Sequence, residues 1–395
     1  MEYSTAVADF ELPQDSFFFD VGSLYEHLES LTDHRDPRGV RYPLAVALVF
    51  VILAKLAGED QPHGIAQWVA LRQELLKQAL RFERDSVPHP TTYARILGNA
   101  VDVEQLQQAA ATFLLSLSAS RSTIALHLDG KTLRGTIPVG QTSGVHLLAA
   151  YLSEVGIVLM QVAVERHENE IVAAPRLLKM VNLRGKIVTG DALLAQRELS
   201  RQIVKAGGHY IWTIKENQPS LLADIVALFA IEEGETALKP MVNDFRSATS
   251  TDKEHGRLEQ RKLTSSSMLA GQVDWPYLKQ VFKIEREVEV LSTGKRSSEV
   301  SYGITSLSDQ EADAARLLAG HRQHWQIENG LHYRRDKTLR EDDCRLRTGQ
   351  AVQAMAVINN LVIGLVLRQG QRNLPDARRH YNARPLEALK LILRR

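Results

Sequence analysis

The sequence predicts an α/β protein, a mixed β-sheet with a β-rich insertion, preceded by an all-helical N-terminal domain. Three observations carry this. Apolar residues recur at helical spacing from about residue 21 to 120, and from residue 121 the pattern changes to short apolar runs joined by glycine-bearing connections. A second group of strand-like runs occupies 258–263, 281–290 and 300–305. Helical periodicity then returns from about residue 308 to the C-terminus.

Taken in order, residues 1–20 are acidic and aromatic without a period and read as a flexible or docking arm. The helical domain spans 21–120. Its first helix covers 21–31, and the loop 32–43 carries three arginines and two helix-breaking prolines. Helical spacing resumes over 44–56 and 64–80, and Pro88-His89-Pro90-Thr91 reads as a turn opening another helix with Thr91 near its N-cap. The face Thr91-Thr92-Tyr93-x-Arg95 admits two readings, a helix that enters a DNA groove or one that packs.

The first part of the sheet core is expected over 121–220. Runs at 122–128, 145–152 and 156–164 suggest an antiparallel meander, followed by a helix at 173–180, a strand at 185–191, a helix at 194–206 and a strand at 209–214. The order is βββαβαβ. The first run ends at Asp129, where Gly130 permits a sharp turn and Lys131 and Arg134 supply cations; the fourth ends at Asp191. Asp-Gly is also an ordinary turn dipeptide, and a phosphate-binding loop is excluded because Ala125 stands where that motif needs glycine. In a mixed sheet of this order Asp129 and Asp191 meet at one rim, and two such carboxylates repel unless a divalent cation lies between them.

Residues 221–307 read as the inserted β-rich subdomain, in which His255-Gly256-Arg257-Leu258-Glu259-Gln260-Arg261 forms a charged turn and strand. Residues 308–395 are the C-terminal helices. The first runs from about 308 to 331, with His324, Glu328 and His332 on one face at i, i+4 spacing and Trp325 and Ile327 turned inward. That face offers an alternative zinc site. The last helix, 351–367, is apolar enough for a core.

Composition narrows the function. At 395 residues, with 44% hydrophobic and 24% charged residues, the chain suits two or three globular domains. Cys344 is the single cysteine, which excludes an intramolecular disulfide or a cysteine-built zinc site and fits a reducing cytoplasm. No basic-then-apolar leader opens the sequence, and the apolar run 43–54 is shorter than the roughly 20 residues of a membrane span. The net charge of +1 divides unevenly, with +8 over 321–395 and −7 over the rest, as expected for a segment facing a phosphate backbone or for a solvated helical face.

The set Leu128-Asp129-Gly130-Lys131-x-x-Arg134-Gly135, Thr189-Gly190-Asp191-Ala192, Lys215-x-Asn217-Gln218 and His324-Trp325-x-Ile327-Glu328-Asn329-x-Leu331-His332 resembles the H-repeat-associated branch of bacterial insertion-sequence transposases, members of the DDE class. The likeness extends to the N-terminal helices through Asp36-Pro37-Arg38 and Tyr42-Pro43-Leu44. It implies an RNase H-like core in which Asp129, Asp191 and Glu328 bind two Mg²⁺ ions, with Mn²⁺ able to substitute. It implies cleavage of transposon ends and joining of 3′-hydroxyls to target DNA. The expected partners are double-stranded DNA with terminal inverted repeats, target DNA and a second copy of the chain on DNA, with no membrane, in a bacterial cytoplasm at the nucleoid. Lys131, Arg134, Lys215, Asn217, Gln218, Arg257, His321, His324 and Arg335 are the expected DNA contacts. A Tyr, Arg, Glu, Lys signature surrounds the glutamate in related transposases; here His321 and His324 replace its first two members and Arg335 its last. Two alternatives stay open, a domesticated DNA-binding descendant and an RNase H-like nuclease.

Overall fold

Leu44–Leu56 is the axis on which the N-terminal helices are assembled: every residue of it is buried. A helix apolar on all sides belongs inside a protein. The computed structural model describes residues 22–82, 84–117, 125–233, 244–254, 256–324 and 327–393. The expected arm at 1–20, the first residues of the first strand (122–124), His255 and Trp325 lie outside the described residues.

Around that axis, α2, stand α1 (Leu24–Glu29), α3 (Pro62–Ala70), α4 (Gln73–Leu80), α5 (Pro90–Arg95) and α6 (Val103–Ser116). The single charge in α2, Lys55, is held 2.8 Å from Asp60, which also takes Arg378 at 2.8 Å. The face expected on α5 divides, with Thr91 and Arg95 exposed and Tyr93 turned inward. The helix has only six residues before a π-helical turn at Ile96–Ala100, and Tyr93 is buried in the helical core.

The sheet follows. β1 (Ala125–Thr132), β2 (His146–Leu152) and β3 (Ile157–Val164) form the expected antiparallel meander, α7 (Glu170–Lys179) leads to β4 (Ile187–Gly190), and α8 (Arg197–Lys205) leads to β5 (His209–Ile214). Both β4 and β5 run parallel to β1. After α9 (Pro219–Glu233) the strands β6 (Arg246–Glu254), β7 (Arg257–Ser266), β8 (Gln280–Val290) and β9 (Lys295–Thr305) form a second meander, and β9 pairs with β5. One nine-stranded mixed sheet results, in the order β3-β2-β1-β4-β5-β9-β8-β7-β6. The strands of the expected insertion thus extend the core sheet.

Gly130 corrects the reading of a sharp turn. It lies inside β1, opposite Leu148, and β1 continues to Thr132. Its lack of a side chain serves close approach instead: a Cβ there would strike the Glu170 carboxylate and lie 2.6 Å from His146 Nε2.

One face of the sheet is covered by α7, α8 and α9, which pack on Leu126, Leu128, Val188 and Trp212. The other carries α10 (Ala314–His324), which crosses β1, β4 and β5 and meets β6 and β7. Beyond it the helical path widens into two π-helical turns, Glu328–His332 and Arg334–Thr338. The expected last helix is α11 (Ala351–Arg368), but α12 (Leu374–Ala383) and α13 (Pro385–Leu393) follow it. By length and composition α11 could cross a membrane, yet 83% of it is buried inside the protein as a core helix.

Candidate metal centre

The parallel register sets the first two acids. His127 of β1 lies opposite Thr189 of β4, and two residues further along each chain come Asp129 and Asp191. β4 stops at Gly190 while β1 continues, so both carboxylates emerge where β1 loses its parallel neighbour. The segment after α10 supplies the rest. Asp129, Glu328 and His332 bring potential ligand atoms within 4.8 Å of one another. His332 Nδ1 lies 3.3 Å from Asp129 Oδ2 and 3.9 Å from Glu328 Oε2.

A fourth carboxylate belongs to the rim and was not apparent in the sequence. Glu170, the first residue of α7, is bonded at 2.8 Å to His146 Nε2, whose Nδ1 meets Thr132 Oγ1 at 2.8 Å. Asn169 as N-cap could have revealed where α7 begins, but nothing in local sequence points its first carboxylate toward Asp129.

The charges are unbalanced. Burial, then the carboxylates of Glu328, Glu170 and Asp191, push the Asp129 carboxyl up to about 7, against a lowering by the Gly130 backbone N–H. Asp191 is also raised, by burial first and by Glu170, although the Leu194 N–H donates to its Oδ1 at 3.2 Å and Lys215 draws it down. Like-charged oxygens gathered with so little compensation are what a hard cation neutralises. The donor set, carboxylates with one imidazole, fits a divalent ion.

The other expected DNA contacts divide by exposure. Arg134, Lys215 and Arg257 are exposed. Arg257 borders a cleft of about 1290 Å³ that Arg261, Arg322, Arg334, Arg368 and Arg372 also line. Lys131 is corrected: it is buried, pairs with Asp336, and lies 3.7 Å from Asp342. Arg335 is buried too, its Nε donating to Glu341 at 2.8 Å. Neither can reach a DNA backbone from there.

Asn217 and Gln218 brace the turn after Asp191, donating to the carbonyls of Ala192 at 2.6 Å and Ala195 at 3.1 Å. His321 and His324 lie against the sheet beneath α10, His321 3.4 Å from Thr213 Oγ1 and His324 3.2 Å from Thr189 Oγ1. The zinc face therefore does not assemble, because His324 is engaged by β4 while Glu328 and His332 meet over β1.

A mixed sheet with helices on both faces and clustered acids past the end of β4 defines an α/β protein with a candidate divalent-cation centre. The chain belongs to the DDE transposase family: the Transposase DDE domain matches residues 122–365 and the DDE_Tnp_1-associated domain matches residues 25–114. Among its relatives in Escherichia coli K12, the "H repeat-associated putative transposase YhhI" is 26% identical over 352 residues, 88% of this chain and 91% of that one. The "H repeat-associated putative transposase YbfD" is 27% identical over 243 residues, 61% of this chain and 93% of that one. Among solved structures, the piggyBac transposase in its synaptic complex with hairpin DNA is 11% identical, with a TM-score of 0.41 over 94% of this chain and 79% of that chain.

Proposed function

We propose that this transposase cleaves the ends of its element and joins the freed 3′-hydroxyls to target DNA, using an RNase H-like core built on β1–β5. The observation that carries the reading is the meeting of Asp129 with Glu328 beside Asp191, three carboxylates from β1, the π-helical segment and the end of β4. These three would hold two divalent ions, Mg²⁺ by preference for carboxylate oxygen and Mn²⁺ in its place. Bound there, the ions supply nucleophile activation and charge neutralisation at the scissile phosphodiester.

The chain's own residues do the rest. Lys215 stands exposed near Asp191, where a phosphate would lie, and Asn217 and Gln218 fix the turn that presents Asp191. Arg134 and Arg257 remain the exposed candidates for the DNA backbone, giving an affinity that falls with salt. The helices of 21–120 and the strands of 221–307 would recognise terminal inverted repeats, with 121–220 and 308–395 supplying the acids. Two copies would bring two ends together at the bacterial nucleoid.

The test is cleavage of DNA carrying the flanking terminal repeats, wild type beside Glu328→Gln, with Mg²⁺ and with EDTA. Metal-dependent nicking that Glu328→Gln abolishes while DNA binding persists is the expected result. A wild-type protein that binds these ends and never cuts them, with either metal, is instead a domesticated DNA-binding descendant.

A further inference from the structure

We propose that His332 is a nitrogen ligand of the cation held by Asp129 and Glu328, and that it shifts this position toward Mn²⁺ over Mg²⁺. The proposal rests on the reading of these acids as a metal site. It adds a donor that the three-carboxylate pattern does not contain.

The geometry is local and specific. Donors bound side by side on one octahedral ion at about 2.1 Å lie about 3 Å apart. His332 Nδ1 is 3.3 Å from an Asp129 oxygen, close to that spacing, and 3.9 Å from a Glu328 oxygen, between it and the roughly 4.2 Å of donors on opposite sides of such an ion, so the imidazole stands in a ligand's place next to Asp129 and within one ion's reach of Glu328. Glu328 opens the π-helical turn that His332 closes, so one local widening of the helix sets both side chains.

The contrast with His127 separates a ligand from a packing residue. His127 is also buried, but both its nitrogens are bonded, Nδ1 to Thr189 Oγ1 at 2.6 Å and Nε2 to Ser153 Oγ at 2.7 Å. His332 is buried with Nε2 lacking any hydrogen-bond partner among the described residues. Nδ1 makes no hydrogen bond to a hydroxyl or backbone group among the described residues, so no competing bond of that kind has to break for it to face an ion, with Arg335 and Lys131 as the ring's charged neighbours. Lys131, close by, is committed to Asp336 and cannot fill the cation's place.

The preference follows from donor chemistry. Mg²⁺ takes oxygen ligands and keeps its waters; Mn²⁺ also suits carboxylate but, as a member of the first-row transition series, accepts an imidazole nitrogen more readily than Mg²⁺ does. A mixed nitrogen and oxygen position therefore discriminates between two ions that a purely carboxylate position would treat more alike.

The experiment is pulsed EPR of Mn²⁺ bound to the full-length protein, with Mn²⁺ and Mg²⁺ affinities measured on the same samples. Wild type is expected to show ¹⁴N coupling to the bound Mn²⁺. His332→Asn, which places an amide near the Nδ1 position, is expected to bind Mn²⁺ without that coupling and to lower the Mn²⁺ over Mg²⁺ affinity ratio about tenfold. Imidazole-type coupling that persists unchanged in His332→Asn would assign the nitrogen to another histidine and overturn the proposal. Mn²⁺ that binds wild type with no ¹⁴N coupling overturns it as well, while leaving the carboxylate site intact. Mn²⁺ binding that is absent, or indifferent to Asp129→Asn, removes the metal site itself and the proposal with it. If His332→Asn does not fold, His332→Gln takes its place, and the wild-type spectrum alone still decides against the ligand.

Discussion

Asp129 concentrates the chemistry of the molecule in one carboxyl. Its folded pKa, raised to about 7 by burial and by Glu328, Glu170 and Asp191, sets the sign of its effect on stability. A carboxyl raised above its ordinary value opposes folding once the unfolded chain ionises: the penalty is absent below about pH 4, grows as pH rises to about 7, and is constant above. In metal-free protein Asp129→Asn is therefore expected to stabilise by about 2 kcal/mol at pH 8 and far less at pH 4.5. The same substitution should remove the rise in melting temperature that Mn²⁺ gives wild type. Urea titrations at the two pH values check the first part, and an equal effect at both would refute it. Asp129 and Asp191 stood out in the sequence because a carboxylate after an apolar run is a local signal, whereas Glu328 stood out by its helix face with His324 and His332 and by the family resemblance. The burial of Lys131 was not visible there, because Asp336 and Asp342, which hold it, lie over two hundred residues away.

Between residue and fold stands the junction of β1, β4 and α10. The Thr189 hydroxyl meets His127 Nδ1 at 2.6 Å and His324 Nδ1 at 3.2 Å. These three residues precede Asp129, Asp191 and Glu328 by two, two and four positions, so one hydroxyl ties together the three elements that carry the acids. Thr189→Val keeps the shape and leaves a buried nitrogen of His127 and a part-buried one of His324 without this partner, at a cost of about 1–3 kcal/mol. It should also weaken Mn²⁺ binding, and Thr189→Ser should restore both. Loss of stability with unchanged metal affinity would reduce the hydroxyl to a packing role. These two histidines, with His321 beside Thr213, govern acid stability. Burial lowers His127 to about 3, and His321 and His324 to about 4. Their unfolded forms take up protons below about pH 6.5 while the folded forms do not, so stability is lost as pH falls from 6.5 toward 4. Asp129 and Asp191 act in the opposite direction, but as two groups against four, since burial lowers His332 to about 3 as well. The urea midpoint is expected to fall between pH 7 and pH 5, and a midpoint that holds steady or rises would contradict the buried neutral imidazoles. At this scale the sequence was legible wherever apolar alternation was clean, as in β2, β3 and β5. It was silent for β6, whose Arg-Ser-Ala-Thr-Ser-Thr-Asp-Lys-Glu has no apolar face, and for the π-helical turns, which keep an α-like pattern while changing the geometry.

Across the whole molecule the first and last helices share one core. Leu24, Phe50 and Trp68 pack in the same cluster as Ile358, Tyr381 and Leu389, together with Ile327 and Leu331 next to the candidate metal centre. The sequence read the N-terminal helices as a unit of their own because each is amphipathic or apolar by itself, and no local pattern reveals a partner three hundred residues away. It also read the basic C-terminal segment partly as DNA-facing. Part of that charge is internal: Arg335 holds Glu341 and Arg378 holds Asp60. Asp60 is the joint, lying between Lys55 of α2 and Arg378 of α12 at 2.8 Å from each, with all three side chains nearly buried. Removing the anion strands two cations in low dielectric, for which about 3–5 kcal/mol is the usual loss. Asp60→Asn is therefore expected to lower the melting temperature of the helical core and to draw the elements carrying Glu328 down with it, in a single calorimetric transition. Two separated transitions, with only the helical one shifted and Mn²⁺ still raising the other, would mean that the metal centre is held by the sheet alone. A single shifted transition would mean that the helices framing the chain also hold Glu328 over Asp129.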